Sequence, residues 1–279
     1  MSFIEKKIII TNEQDIQDVF GGKRKIYSFV NPVSYISFSQ NKNSLIELDG
    51  LFSDGGILCQ FIKLFYWKKV SRMSFDMTSV APLLFNHCEK YGKTIYFIGA
   101  KEGEIKKAMT LLQKKYPCLK IINFRDGYFQ NEEERDTSLQ EIIEVSPDLL
   151  VCGMGAPTQE QYLIDLKNRG FTGIGFTCGG FIHQLAKGKE DYYPRYVNTL
   201  NLRFIYRFII EKHTRKRYAT AFFVFPILFF RNLFVKWIRI EILRFDKVII
   251  KWVNSIPKNN LILKQSYPKL KNAKVFSLK

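Results

Sequence analysis

The chain is poor in the residues that metal and disulfide sites require. It has three histidines and five cysteines in 279 residues. Cys59, Cys88, Cys118, Cys152 and Cys178 stand singly, with no CxxC pair among them. That argues against a zinc site and a disulfide framework. Cys152 and Cys178 lie in apolar runs and read as small buried hydrophobes. No GxGxxG, Walker A, GxSxG or HExxH motif occurs, and the Asp-x-Asp of metal-assisted sugar transfer is missing too. We therefore expect neither a metal nor a cofactor.

Long apolar runs are also missing. The longest, Ala219–Phe230, is interrupted by Pro226. It is about twelve residues against the roughly 20 that span a bilayer, so no transmembrane helix is expected. The first fifteen residues, MSFIEKKIIITNEQD, lack the layout of a secretory leader.

Acidic residues almost vanish from the last third. From Arg195 to Lys279 there are 19 Lys and Arg against 3 Asp and Glu, whereas the first 194 residues hold 24 against 23. A near-neutral body thus precedes a strongly basic region, and the asymmetry calls for an anionic partner. In that region Arg203, Arg207, Lys212, Arg215, Lys216 and Arg217 stand beside the phenylalanine-rich run. Aromatics massed next to forked cations suit an anionic membrane surface. Nucleic acid would want the aromatics spaced as stacking platforms, so it is not the partner we expect. Farther on, Ile238, Ile242, Phe245, Ile249 and Trp252 recur at helical spacing, with Lys and Arg on the other face. That stripe suits a basic amphipathic helix on a membrane or a seam between two copies of the chain.

What the chain does contain is alternation. Thr94–Gly99, Leu119–Asn123, Asp148–Cys152 and Thr172–Cys178 read as strands, separated by helical patterns over Gly103–Tyr116, Glu132–Val145 and Gln159–Arg169. Earlier, Lys25–Asn31 reads as a strand stopped by Pro32. Leu45–Gly50 is an apolar piece before a turn Ser53-Asp54-Gly55-Gly56, and Ile57–Trp67 and Val80–Tyr91 read as helices. This is βαβ organisation: an α/β, Rossmann-like parallel sheet with helices on both faces. Several strands end in glycine at the carboxyl side, the edge that builds ligand clefts in such sheets.

The stretch SPDLLVCGMGAPTQEQY, from Ser146 to Tyr162, is the most telling. Gly153, Gly155 and Pro157 break a buried strand, and Gln159 and Glu160 then place hydrogen-bonding groups at its end. Asp54, between glycines, can face a cleft and serve as a general base; Asp-Gly is equally an ordinary turn pair. Asn31, Arg72, Asp76 and Tyr128 are further polar or aromatic residues at element boundaries, and Arg72 can hold a phosphate or be an ordinary surface cation.

Together these pieces resemble the WecG/TagA/CpsF glycosyltransferases, glycosyltransferase family 26, over about residues 25–218. The matching residues are Asn31-Pro32, Asp54-Gly55, Arg72 and Asp76, Phe97-Ile98-Gly99, Tyr116-Pro117, Asp126-Gly127-Tyr128-Phe129, Ser146-Pro147-Asp148, Gly153–Glu160, Gly179-Gly180-Phe181, Tyr193-Pro194, Leu202-Arg203, Tyr206-Arg207 and Glu211. The resemblance implies an inverting transferase that moves a sugar from a UDP donor to a polyprenyl-diphosphate-linked acceptor in polysaccharide or teichoic-acid synthesis. It implies a Rossmann-like core and a C-terminal appendage that docks on the membrane. With the charge asymmetry, we expect an α/β catalytic domain over 1–194 and a membrane-associating appendage and tail over 195–279, working at the cytoplasmic face. The tail beyond about Asn232 lies outside the resemblance. By the resemblance, Asp54 takes the place of the catalytic base. Asn31, Arg72, Gly99, Tyr128, Gly155, Gln159 and Glu160 are the substrate-binding candidates; Arg203, Arg207, Arg215 and Arg217 are those for lipid diphosphate or headgroups. Phe29 and the run Phe181-Ile182-His183 depart from the usual family pattern. The sugar-nucleotide-binding scaffold subunit of an assembly complex is the alternative reading.

Overall fold

The central strands are apolar on both faces, as parallel strands covered by helices must be, whereas the edge strand over Lys120–Arg125 is largely exposed. TIYFIG and LLVCG are buried along nearly their whole length. In a computed structural model of the chain, residues 13–40, 46–68, 70–188 and 218–235 are described, together with Ile4, Lys7, Ile8, Val197, Tyr206, Phe208, Ile209 and Arg215. Two compact units result, Met1–Leu228 and Phe229–Lys279.

In chain order the elements are α1 (Glu13–Phe20), β1 (Lys25–Val30), α2 (Pro32–Gln40), β2 (Gly50–Ser53), α3 (Gly56–Tyr66), α4 (Val80–Tyr91), β3 (Thr94–Gly99), α5 (Glu102–Lys115), β4 (Lys120–Arg125), α6 (Glu132–Val145), β5 (Leu149–Gly153), α7 (Thr158–Asn168), β6 (Ile174–Thr177) and α8 (Phe181–Ala186). Helix α9 covers Tyr218–Val235. The six strands form one sheet in the order β2-β1-β6-β5-β3-β4, with every pair parallel. The expected Rossmann-like α/β class is what the chain adopts.

On one sheet face Tyr27, Phe29, Phe97, Val151 and Phe176 pack against Phe20 of α1, Phe85 of α4, Met109 of α5 and Phe181 of α8. Phe176 stacks on Tyr27 at 5.4 Å and meets Phe20 edge-on at 5.9 Å. Much of the unusual phenylalanine content is therefore core. On the other face, α7 lies over β1, β5 and β6.

At the amino end of the sheet, two aspartates tie strands together. Asp49 accepts from the Ile26 amide at 2.8 Å, from Lys167 at 2.7 Å and from Lys25 at 3.2 Å. Asp148 accepts from the Thr94 amide and from Lys93, each at 2.9 Å. Burial alone would raise both pKa values. The donors overcome it and hold both carboxyls below the usual aspartate range.

Three expectations change. The strand β2 begins where the apolar piece was read to end, so Ser53 is its last residue and Asp54 follows it directly. Pro32 does not merely stop β1; it opens α2. Pro226 does not end the apolar run either. It sits inside α9, an 18-residue helix long and apolar enough, by length and composition, to cross a membrane. Proline forfeits one backbone donor there, and the apolar residues after it carry the helix on.

Candidate active site

A cavity of about 570 Å³ opens at the carboxyl end of the sheet, a size typical of small-molecule sites. The ends of β1, β2, β5 and β6 all reach it, through Asn31, Asp54, Gly155 and Thr177. Arg72 and Gln159 complete the set, so five of the sequence-derived candidates (Asn31, Asp54, Arg72, Gly155 and Gln159) share one cavity.

Local chemistry explains each position. Asn31 is an N-cap: its Oδ1 accepts from the Val33 and Ser34 amides, both at 3.0 Å, while its own amide donates to Ser34 Oγ at 2.9 Å. With Pro32 at the first helical position, Asn-Pro is thus a helix-start device. Asp54 is fixed by its amide, which donates to the Val30 carbonyl at 2.8 Å. Gly55 beside it sits in a tight place, because a Cβ there would stand 3.1 Å from the Pro32 ring and the ring would have to give by a few tenths of an ångström. Asp54-Gly55 is therefore a strand-to-helix junction where two strand ends crowd. Gly155 has φ +81°, in the left-handed region, with open space where a Cβ would go. Its glycine serves the backbone conformation.

Arg72 Nη2 donates to Ser74 Oγ at 2.9 Å and lies 3.8 Å from Asp76 Oδ2. Ser74 Oγ in turn donates to Asp76 at 2.5 Å. The guanidinium is thereby held at the cavity wall, where its fork can meet a phosphate.

Gln159 is nearly buried. Its Oε1 accepts from the Gly179 amide at 3.1 Å, and its Nε2 donates to Glu160 Oε1 at 2.9 Å. Glu160 Oε1 also accepts from Ser28 Oγ at 2.8 Å, and Ser28 Oγ accepts from Thr177 Oγ1 at 2.9 Å. A buried polar chain thus connects two cavity-lining groups, Thr177 and Gln159, through one carboxyl behind them. Glu160 itself is fully buried and does not line the cavity. Its Oε2 has no hydrogen-bond partner among the described residues. Burial raises the Glu160 pKa, against the lowering effect of Gln159 and Ser28.

Gly99 and Tyr128 do not line the cavity. A Cβ on Gly99 would fall 2.4 Å from the Gly153 carbonyl oxygen, and one on Gly127 would fall 2.9 Å from Gly99 Cα. Those glycines let three backbone segments close on one another. Tyr128 is exposed, while neighbouring Phe129 stacks on Tyr162 at 5.9 Å with the Arg125 guanidinium 4.5 Å from its ring.

Arg215 spends its guanidinium on the carbonyls of Phe208 and Ile209, at 2.9 and 2.8 Å. Arg203, Arg207 and Arg217 lie outside the described residues, as do the stripe from Ile238 to Trp252, Tyr193-Pro194 and Glu211. The sequence reading missed the α9 side of the cavity, formed by Tyr218, Ala221, Phe222, Phe225 and Pro226. No pattern in the chain links that run to the strand ends; only the tertiary fold does.

Three features bear on chemistry. The helices α3 and α7 start at the cavity without a side-chain cap. Their first amides and dipoles suit an anion. Among the described residues, no three His, Cys, Asp or Glu side chains gather where one metal ion could be held. The cavity thiol Cys178, like buried Cys59 and Cys152, has its pKa pushed up by burial, so none is an activated thiolate.

The pattern of the glycosyl transferase WecG/TagA/CpsF family matches residues 11–239. The UDP-Gal:alpha-D-GlcNAc-diphosphoundecaprenol beta-1,4-galactosyltransferase of Shigella boydii is 33% identical over 230 residues, 82% of this chain and 96% of that protein. The N-acetylglucosaminyldiphosphoundecaprenol N-acetyl-beta-D-mannosaminyltransferase of Bacillus subtilis is 28% identical over 134 residues, 48% of this chain and 51% of that protein. Its Staphylococcus aureus (strain NCTC 8325 / PS 47) namesake is 28% identical over 117 residues, 42% of this chain and 44% of that protein. The chain belongs to the WecG/TagA/CpsF family of glycosyltransferases.

Proposed function

We propose that this enzyme transfers a hexose, with inversion, from a UDP donor to a polyprenyl-diphosphate-linked acceptor in cell-surface polysaccharide or teichoic-acid synthesis. The supporting observation is the convergence of Asp54, Arg72 and Gln159 on one cavity at the starts of α3 and α7. The Asp54 carboxylate takes the proton of the acceptor hydroxyl. The hydroxyl oxygen attacks the anomeric carbon, and the bond from that carbon to the diphosphate oxygen breaks. UDP leaves with the electron pair. The Arg72 fork and the first amides of α3 and α7 meet the charge that develops on it. Gln159 and Asn31 orient the sugar nucleotide, Gln159 with its amide pinned by Glu160 and Gly179.

The acceptor reading rests on the relatives, whose names specify diphosphoundecaprenol acceptors. A lipid acceptor requires a membrane-facing enzyme. Helix α9 supplies exposed Phe222, Phe223 and Ile227 beside the cavity, and the basic region 195–279 supplies cations for headgroups and lipid diphosphate. On this reading 195–279 is the appendage and the enzyme works peripherally at the cytoplasmic face.

The test is UDP release with a panel of UDP-sugars and a short polyprenyl-diphosphate-GlcNAc acceptor. UDP-Gal comes first, because the Shigella relative's name specifies it. Acceptor-dependent release with one donor is expected. Binding of a UDP-sugar without turnover on any lipid acceptor would leave a scaffold protein instead.

A further inference from the structure

Trp67 is misplaced by every folding criterion. It ends α3 with φ +54°, in the left-handed region that favours glycine. It is also 92% exposed, so no packing recovers the cost. Leu64, one turn earlier, is 66% exposed. The segment between Asp54 and Asp76 contains Lys63, Lys68, Lys69 and Arg72 and no acidic residue, and Lys63 and Lys68 are exposed beside Leu64 and Trp67.

The apolar surface continues onto a second helix. Phe61 of α3 packs on Phe225 of α9 with ring centroids 5.2 Å apart. Leu64 stands three residues from Phe61, and Phe222 three residues from Phe225, so each flanks that contact at helical-neighbour spacing. Phe222 and Phe223 are 63% and 69% exposed. Ile57 and Phe61 from α3, and Phe222, Phe225 and Pro226 from α9, all line the cavity.

We propose that the end of α3, with Trp67 as its anchor and Leu64 beside it, is a second membrane-contact surface, carried by the catalytic body itself. Its occupant is an anionic lipid bilayer. Exposed apolar side chains flanked in the chain by exposed Lys63 and Lys68, in a segment without an acidic residue, complement such a surface in both hydrophobicity and charge. Tryptophan is the side chain best suited to the boundary between headgroups and acyl chains. Contact through both α3 and α9 would set the cavity wall against the bilayer, so a lipid acceptor reaches Asp54 without leaving the membrane. This last consequence rests on the acceptor reading above; the docking surface does not.

The experiment uses the full chain. Trp237→Phe and Trp252→Phe leave Trp67 as the sole tryptophan of three. Vesicles of phosphatidylcholine with phosphatidylglycerol should blue-shift its emission, shield it from iodide and let brominated acyl chains quench it. Vesicle-bound protein whose Trp67 stays iodide-accessible and unshifted would overturn the proposal, as would absence of binding to these vesicles. Leu64→Ser with Trp67→Ser should weaken vesicle partitioning about tenfold, the loss of part of one large side chain's burial. UDP release with a short, water-soluble acceptor should be unchanged. An equal fall with that acceptor would show that the residues support the fold or the site, not the membrane. If the wild type turns over no acceptor while Trp67 enters the bilayer, the functional reading fails and the docking surface stands.

Discussion

Asp49 and Asp148 hold the amino end of the sheet, and Asp54 and Glu160 belong to its carboxyl end; the same functional group is put to opposite uses. At the amino end the carboxylates are saturated with donors from neighbouring strands and are held ionised. At the carboxyl end Glu160 is buried with one oxygen lacking a partner among the described residues, and burial favours its protonated form. At the same end Asp54 faces a cavity. One end spends its charge on stability. The other leaves Asp54 at the cavity wall and buries Glu160 behind Gln159, at a cost in stability.

The carboxyl end is itself uneven, since β1, β2, β5 and β6 open onto the cavity while Gly99 and Gly127 close tightly by β3 and β4. The largest effect should come from the open side. Arg72→Ala should lower kcat by about 10²- to 10³-fold, the usual cost of one preorganised donor to developing charge, with Arg72→Lys recovering part of it. Steady-state UDP release measures both. Next comes the amino end, where Asp49→Ala removes the acceptor for Ile26, Lys25 and Lys167. Urea unfolding should show a loss of about 2 kcal/mol, with kcat per folded molecule unchanged.

The two ends should also respond oppositely to pH. Asp49 and Asp148 have lowered folded pKa values, so their contribution is present above the unfolded value of 3.8 and is lost as pH falls through the folded values. Glu160 has a raised folded pKa, so stability is favoured below the unfolded value of 4.5 and declines as pH rises through the folded value. Glu160→Gln removes that titration. Relative to wild type, the variant should gain stability from pH 4.5 upward and gain nothing below it, as read from urea midpoints across pH. The smallest effect concerns the closed side. If the cavity alone holds the donor, Tyr128→Ala should change the donor KM by less than about twofold, within the small range expected for surface substitutions away from a site. A larger rise would place part of the nucleotide along the β3–β4 edge.

Much of this was legible in the chain. The β3, α4 and α6 boundaries follow from periodicity and the caps that flank it, Gly92 after α4 among them. Asn31, Asp54 and Gln159 could be picked out because they are polar groups at the carboxyl ends of parallel strands, the edge where ligands sit, although Asn31 also serves as the N-cap of α2. Other features were not legible for physical reasons. The run PVSYISFSQ mixes β-branched and aromatic residues and carries almost no helical amphipathicity; Asn31 and Pro32 start that helix. Gln159 and Glu160 are adjacent in sequence, yet one helical step turns Gln159 to the cavity and Glu160 to Ser28. The aromatic wall from α9 is a long-range contact with no local signature.

The central claim is that Asp54 takes the proton of the acceptor hydroxyl inside this cavity. Asp54→Asn keeps the shape of the side chain and removes the base, so the decisive measurement is UDP-sugar binding and acceptor-dependent UDP release on the same preparation. The account predicts wild-type donor affinity with turnover reduced by about 10²- to 10⁴-fold. Wild-type turnover in that variant would contradict it.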